Sequence, residues 1–428
     1  MVRTFNNKLV TYSNRVLTTS GVISFLVNGS NFASFGVSFS SSSSIFIDFS
    51  DGTGFHQYEG NASNSFRVGF QLSATPGAYV YNYTDGKPSS YTRNIKVIIP
   101  EKDKVTSINV NDFARAGLIA SVLNQTLKIR FNELQNLNTI NISQTYLLDF
   151  DDSFLNNNSI KSLIFNTNSF YKTSKYSGII PITVLTKKQY NSLTYSTSLG
   201  GIDFSISNLD KIINLKDTLT TLSLAACNLS DTNGNNGPLP DNFSQLKIAS
   251  LYLIRNNYTK PPSILNSIPT IQNFFGGGVS ITDWGDLSGL VNLVNFTMDE
   301  CRNAPAYCPA YVTNWPKLRI LRFVSFSKGG SGGDNTSNPA RLDALISSIY
   351  NIWDKNAPKT GSNNIQYRGV QLFFAAGEAL TQSDAPGGTY QQPNDYVAGS
   401  SNGTPVSARE MLWVLANQYS CTVIYNNL

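Results

Sequence analysis

Apolar residues in the middle of this chain fall on a fixed spacing. Leu219-x-x-Leu222-x-Leu224-x-x-Cys227-x-Leu229 is followed by Ile248-x-x-Leu251-x-Leu253-x-x-Asn256-x-Tyr258. The alternation at the centre of each unit predicts a short strand with one face turned inward. The Cys or Asn that follows belongs in the next turn, where an Asn amide hydrogen-bonds unpaired backbone groups and a Cys fills the same small slot. Weaker copies read Leu137-x-x-Ile140-x-Ile142, Ile160-x-x-Leu163-x-Phe165-x-x-Asn168, Leu293-x-x-Phe296-x-Met298-x-x-Cys301 and Leu318-x-x-Leu321-x-Phe323. Candidate strands start at Val105, Leu137, Ile160, Tyr190, Leu219, Ile248, Ile271, Leu293 and Leu318, in steps of 22 to 32 residues. A strand-containing coil takes about 20 to 29 residues, so the longest steps imply insertions. No single unit buries its apolar face alone, so the units must stack.

The flanks differ. Ile45-Phe46-Ile47-Asp48-Phe49 and Ile95-Lys96-Val97-Ile98-Ile99 alternate as strands, with turn signals at Asp51-Gly52 and Pro76-Gly77, and predict an all-β segment of sandwich type. Pro100-Glu101-Lys102-Asp103-Lys104 reads as a short charged linker. Beyond Phe326 the repeat spacing is lost. Leu342, Leu345, Ile346, Ile349 and Trp353 recur at helical spacing after Asn338-Pro339, Val370 to Phe374 reads as a strand, Ser407-x-x-Glu410 is a capping box, and Cys421 to Tyr425 is a final strand. The expected organisation is multi-domain: an N-terminal all-β sandwich at 1–100, an α/β solenoid with a parallel sheet at 101–330, and a small α/β cap at 331–428.

Three resemblances attach to these residues. The repeated spacing is the leucine-rich-repeat signature, and Gly237-Pro238-Leu239-Pro240-x-x-Phe243-x-x-Leu246 resembles the convex segment of the type that carries a Gly-x-Leu-Pro turn. Ile47-Asp48-Phe49-Ser50-Asp51-Gly52-Thr53 and Pro76-Gly77-Ala78-Tyr79-Val80-Tyr81 resemble the PKD-type immunoglobulin-like module, with Ser50 where that module usually has Gly. Such a module implies a mounting role. The module order, together with Gly388-Thr389-Tyr390-Gln391-Gln392-Pro393 to Tyr425, is similar to virion proteins of phages of gut Bacteroidetes, including the crAss-like group. That resemblance implies a tail-fibre, head-fibre or decoration protein of the virion, oligomeric in the particle, with other virion proteins or a host-surface glycan or protein as partner.

Composition narrows the picture. Of 428 residues only 14% are charged, and the net charge of +5 is spread without any basic run longer than Lys187-Lys188. Nucleic-acid binding draws no support from this pattern, and no apolar run is long enough to span a membrane. Met1 to Asn7 lacks the basic-then-apolar pattern of a secretion signal, which favours release within an assembled particle over a bacterial surface adhesin. Cys227 and Cys301 occupy turn positions of the repeat and read as buried thiols rather than half of a disulfide framework.

Candidate chemistry is sparse. The one histidine, His56, reads as a solvated turn residue, with no second His or Cys cluster for a zinc site or a triad. Asp149, Asp151 and Asp152 form either a Ca²⁺ site or a solvated turn. No local signature selects a pair of acids for glycoside hydrolysis, so a polysaccharide depolymerase is the less favoured reading. The expectation is a protein that is not an enzyme, with no catalytic residue, no metal and no cofactor. Binding falls to the residues that alternate with the buried ones: Thr221, Ser223, Ser250, Tyr252, Ile254, Asn273, Phe275, Asn295, Thr297, Asp299, Ile320, Arg322 and Val324. Among them and beside them, Tyr252, Arg255, Phe275, Asp299 and Arg322 are the candidate binding residues. Phe275 and Ile254 are either open to a partner or covered by a neighbouring segment.

Overall fold

The computed structural model describes residues 3–5, 10–12, 15–17, 23–27, 34–61, 66–70, 79–81, 87, 91, 93–111, 127–143, 150, 152–166, 182–187, 189–196, 208–231, 237–324, 339–356, 370–374, 391–398 and 403–425. The chain forms two compact units, Met1–Leu219 and Thr220–Leu428.

Among the described residues the first unit begins with ten strands: β1 (Arg3–Phe5), β2 (Val10–Tyr12), β3 (Arg15–Leu17), β4 (Ile23–Val27), β5 (Ser34–Phe39), β6 (Ser43–Asp48), β7 (Phe55–Gly60), β8 (Phe66–Phe70), β9 (Tyr79–Tyr81) and β10 (Arg93–Ile98). Ile45, Ile47, Ile95 and Val97 are buried, as are Phe35 and Val37 on β5, but Ser44 and Phe46 are buried as well, so β6 is covered on both faces rather than alternating. After them come β11 (Val105–Asn111) and β12 (Leu127–Ile129). One sheet runs β1-β7-β6-β10-β4-β12, all antiparallel neighbours. Strand β11 belongs to the other: it pairs antiparallel with β5 along one edge and parallel with the next strand of the chain along the other.

The segment expected as a linker is a tied 3₁₀ turn, Lys102–Lys104. The Lys104 carbonyl accepts from Ser40 N–H (2.8 Å), its ammonium reaches the Ser42 carbonyl (2.8 Å), and the Asn136 amide bonds the Asp103 carbonyl (2.6 Å). Lys102 pairs with Glu133.

The β6–β7 turn is held by its own side chains. Ser50 takes the left-handed φ of +61° that the usual Gly adopts freely, held by its N–H bond to Asp48 (2.8 Å). Asp51 accepts from the Thr53 N–H (3.0 Å) and hydroxyl (2.6 Å), and from Tyr81. Burial opposes ionisation of Asp51, but these hydrogen bonds prevail and hold its carboxyl below the usual range. His56 is not the solvated turn residue the sequence suggested. It lies in β7 at 8% exposure, bonded to the Thr53 hydroxyl (2.8 Å), because the strand starts one residue earlier and turns the ring inward. Burial lowers its pKa against the pull of Asp51 and Asp48. Of the second motif of this segment, residues 76–78 lie outside the described residues.

Strands β13 (Thr139–Ser143), β14 (Ser162–Asn166) and β15 (Ser192–Ser196) extend β11 in parallel. Ile108, Ile140, Leu163 and Leu193 share one inward row, as the spacing predicts, and all are fully buried. Short 3₁₀ turns and the five-residue α1 (Ile182–Thr186) return the chain between strands. Buried Asn157 shows the amide logic. It donates to the Phe131 (2.9 Å) and Leu134 (2.7 Å) carbonyls and accepts from Ser159 N–H (2.9 Å). Asp149 and Asp151 lie outside the described residues, and Asp152 opens a 3₁₀ turn.

Lys187 is buried, donating to the Phe154 (2.5 Å) and Leu155 (2.9 Å) carbonyls. Burial, aided by the nearby Lys161 charge, pushes its pKa down to about 8 from 10.5. Below pH 8 the amine is charged in both folded and unfolded chains, and the folded chain bears the desolvation cost. Between pH 8 and 10.5 the unfolded chain holds the proton that the folded chain has released, so this group favours folding more as pH rises. The unfolding midpoint of the wild type relative to Lys187→Met, followed by circular dichroism, should therefore rise across that window. A flat difference would contradict the assignment.

Among the described residues of the second unit seven strands are parallel and in register: β16 (Thr221–Ser223), β17 (Ser250–Tyr252), β18 (Asn273–Gly277), β19 (Asn295–Asp299), β20 (Ile320–Val324), β21 (Gln371–Phe374) and β22 (Thr422–Tyr425). Leu222, Leu251, Phe274, Phe296, Leu321, Leu372 and Val423 form one row. This is a leucine-rich-repeat-like parallel sheet with α/β character. The row does not stop where the spacing fades after Phe326. Beyond β20 the return segments are α2 (Pro339–Asn356) and α3 (Ala408–Asn417) instead of short 3₁₀ turns, so strands recur at longer intervals. Leu342, Leu345, Ile346, Ile349 and Trp353 bury one face of α2. Ser407 Oγ accepts from Glu410 N–H (3.3 Å), while Glu410 reaches back to Val406 N–H (2.6 Å).

The return side of the earlier coils uses 3₁₀ turns that follow Pro240, Pro262 and Pro309, with Phe243, Leu265 and Val312 buried. Trp284 and Trp315 fill the space behind the sheet, the latter donating to the Leu287 carbonyl (3.0 Å). Cys227, Cys301, Cys308 and Cys421 are buried free thiols, and burial raises Cys301 and Cys421 to about 12. Among the described residues no helix is long and apolar enough to cross a membrane.

Candidate functional site

Because alternate residues of a strand point to opposite faces, burying the leucine row dictates what stands on the other side. Three rows do so among the described residues of the second unit, the third formed by Gly277, Asp299 and Val324. Thr221, Ser250, Asn273, Asn295 and Ile320 are register partners in the first, and Ser223, Tyr252, Phe275, Thr297 and Arg322 in the second.

Tyr252 and Phe275, adjacent in the second row, lie ring on ring with centroids 4.2 Å apart and planes 1° from parallel. Both are half-buried, so the pair is neither sealed beneath another segment nor fully free. Their neighbours, Ser223 and Thr297, are small and buried, which leaves the aromatic pair as the bulk of this row. In the first row Asn273 Nδ2 donates to Ser250 Oγ (3.1 Å), and Asn295 Oδ1 accepts from Thr297 Oγ1 (3.0 Å). These bonds fix the amides across and along the sheet.

Charge collects at the ends of the strands. The residue four places after each inward leucine or phenylalanine turns left-handed: Ala226 (φ 54°), Arg255 (φ 61°), Gly278 (φ 147°) and Glu300 (φ 55°). Gly278 is required there, since a Cβ would lie 2.9 Å from the Asn256 carbonyl oxygen. Arg255 and Glu300, at the same turn position on the coils to either side, meet at 2.9 Å. With Arg255 63% exposed, this ion pair contributes little stability, on the order of 1 kcal/mol or less. Burial pushes the Asp299 carboxyl up, the Glu300 charge adds to that, and the Glu300 N–H with Arg255 and Arg322 pull it only partly back.

Of the five residues singled out from sequence, the fold joins Tyr252 to Phe275 and gathers Arg255, Asp299 and Arg322 within one electrostatic neighbourhood. Glu300 completes that neighbourhood and was not foreseen. The signal for it lay in a recurring turn position, filled by Ala, Arg, Gly and Glu, that no hydrophobic pattern marks. Among the described residues no group of three or more His, Cys, Asp or Glu side chains is placed to hold a metal ion.

No protein-family model matches the chain, and no curated protein matches it. Among solved structures it is similar to leucine-rich-repeat proteins. An internalin, InlF, of Listeria monocytogenes is 15% identical over 69% of this chain and 79% of its own, with a TM-score of 0.32. A leucine-rich-repeat protein of Leptospira interrogans is 14% identical over 58% of this chain and 57% of its own, with a TM-score of 0.31. The plant peptide hormone receptor RGFR1, in complex with RGF2, is 15% identical over 59% of this chain and 42% of its own, with a TM-score of 0.29. The chain thus spans about half the length of the last two.

Proposed function

We propose that this is a non-enzymatic binding protein of a phage virion, of tail-fibre, head-fibre or decoration type. In this reading residues 1–100 form a PKD-like immunoglobulin-type mount, 101–330 a leucine-rich-repeat solenoid, and 331–428 its α/β cap. The observation that carries the binding role is the stacked Tyr252–Phe275 pair, half-exposed on a rigid in-register sheet. Aromatic rings already held in place desolvate a large area at little entropic cost, which is how a few residues dominate an interface. The neutral polar surface, with 14% charged residues, and the likeness of the module order to virion proteins support the particle setting. The partner is a host-surface molecule or a neighbouring virion subunit, with the chain oligomeric in the particle.

The Tyr252→Ala, Phe275→Ala double variant should weaken binding to host cells and to purified virion proteins by about tenfold or more, with no loss of the folded state by tryptophan fluorescence. Unchanged binding would remove this face from the proposal. Electron cryo-microscopy of intact particles tests the setting: density for the chain on capsid, collar or fibre is expected, and its absence from particles would sink the virion assignment.

A further inference from the structure

Resting on that reading, we infer that the sheet face around Tyr252, Asn273, Phe275 and Asn295 takes a neutral oligosaccharide. The argument is one of leftover valence. Asn273 spends one amide hydrogen on Ser250 and keeps its carbonyl oxygen, whereas Asn295 spends its carbonyl on Thr297 and keeps its NH₂. Neither has a further bond among the described residues, and neither does the Tyr252 hydroxyl. Because Asn273 and Asn295 are register partners, an acceptor and a donor stand side by side on neighbouring strands whose backbones run about 4.8 Å apart. Adjacent hydroxyls of a sugar suit this arrangement: one donates to Asn273 Oδ1 and the next accepts from Asn295 Nδ2. The next row holds the Tyr252–Phe275 pair, against which the C–H face of the same ring packs.

Charge decides against other ligands. From β16 to β19 neither row contains an ionised side chain, and Arg255 and Glu300 at the strand ends pair with each other. Arg322 continues the second row on β20 and interacts with the Asp299 carboxyl at the end of β19, so the nearest charges flank the ring pair and already engage each other. An apolar side chain from a protein would cover the rings but leave the two amides desolvated and unpaired. A neutral sugar satisfies both.

The test uses the full chain and neutral oligosaccharides of glucose, mannose, xylose, galactose and N-acetylglucosamine, with binding read by biolayer interferometry. Saturable binding of at least one is expected, insensitive to salt, and weakened about tenfold by Phe275→Ala and by Asn295→Ala at unchanged unfolding midpoint. No binding of any sugar, or binding that survives both substitutions, overturns the inference. So does a protein or peptide ligand on this face that no sugar displaces. If host or virion binding is lost in the Tyr252→Ala, Phe275→Ala variant while every sugar fails, the binding role stands and the oligosaccharide falls.

Discussion

Gly277→Ala should cost the second unit more than about 4 kcal/mol, because two independent penalties coincide. Its φ of +117° is one that L side chains rarely adopt. A Cβ there would lie 2.0 Å from the Asp299 carbonyl oxygen and 2.4 Å from its nitrogen, and both are backbone atoms of the register partner on β19. Nothing flexible can yield. Strands β18 and β19 would have to part at their C-terminal ends, taking with them the Arg255 N–H bond to the Gly277 carbonyl (2.9 Å). Gly285→Ala is the internal control, with φ +58° and a nearest atom, the Pro261 carbonyl oxygen, at 3.3 Å. It should cost only about 1 to 2 kcal/mol. All four tryptophans, Trp284, Trp315, Trp353 and Trp413, lie in the second unit, so fluorescence-detected urea unfolding reads it selectively. A Gly277→Ala midpoint indistinguishable from wild type would mean that the strands are paired otherwise.

Asn256→Ala should be nearly as damaging, at about 3 to 5 kcal/mol by the same measurement. The buried carboxamide meets its full hydrogen-bonding capacity. Oδ1 accepts from Cys227 N–H (2.9 Å) and Leu229 N–H (3.1 Å), and Nδ2 donates to the Leu224 (2.8 Å) and Leu253 (2.9 Å) carbonyls. Truncation would strand four backbone groups away from water. Asn256→Asp separates the two halves of the role, since it keeps the acceptor, deletes both donors and buries a charge, and it should be no better tolerated than alanine. A loss below about 1 kcal/mol for alanine would show that water substitutes for the side chain.

What could be read from the chain follows from which interactions are local or periodic. The inward row from Leu222 to Leu321, the turn role of Asn256, the amphipathic α2 and the Ser407–Glu410 box each depend on residues at fixed offsets, so spacing alone betrays them. The Tyr252–Phe275 pair was half legible: alternation places both on the outer face, but their parallel stack needs the register. Other features depend on partners distant in sequence. The continuation of the row to Leu372 and Val423 is hidden because helices α2 and α3 stretch the interval beyond the repeat length. Arg255 meets Glu300 across 45 residues of chain, with Gly278 at the matching turn position of the coil between them. The inward ring of His56 depends on where β7 begins, and the pairing of β1 with β7 joins Arg3–Phe5 to a segment half a hundred residues away, for which no short-range pattern exists.

Strand β11 has two neighbours of opposite polarity, β5 on one side and β13 on the other. Tension applied at the amino-terminal sheet would therefore reach the first coil through a row of hydrogen bonds loaded sideways, which must rupture together rather than unzip singly. The tied turn at Lys102–Lys104 removes the slack that a loose tether would offer. Within the first unit, a pull is thus passed from β5 into the first coil instead of being lost to a swivel.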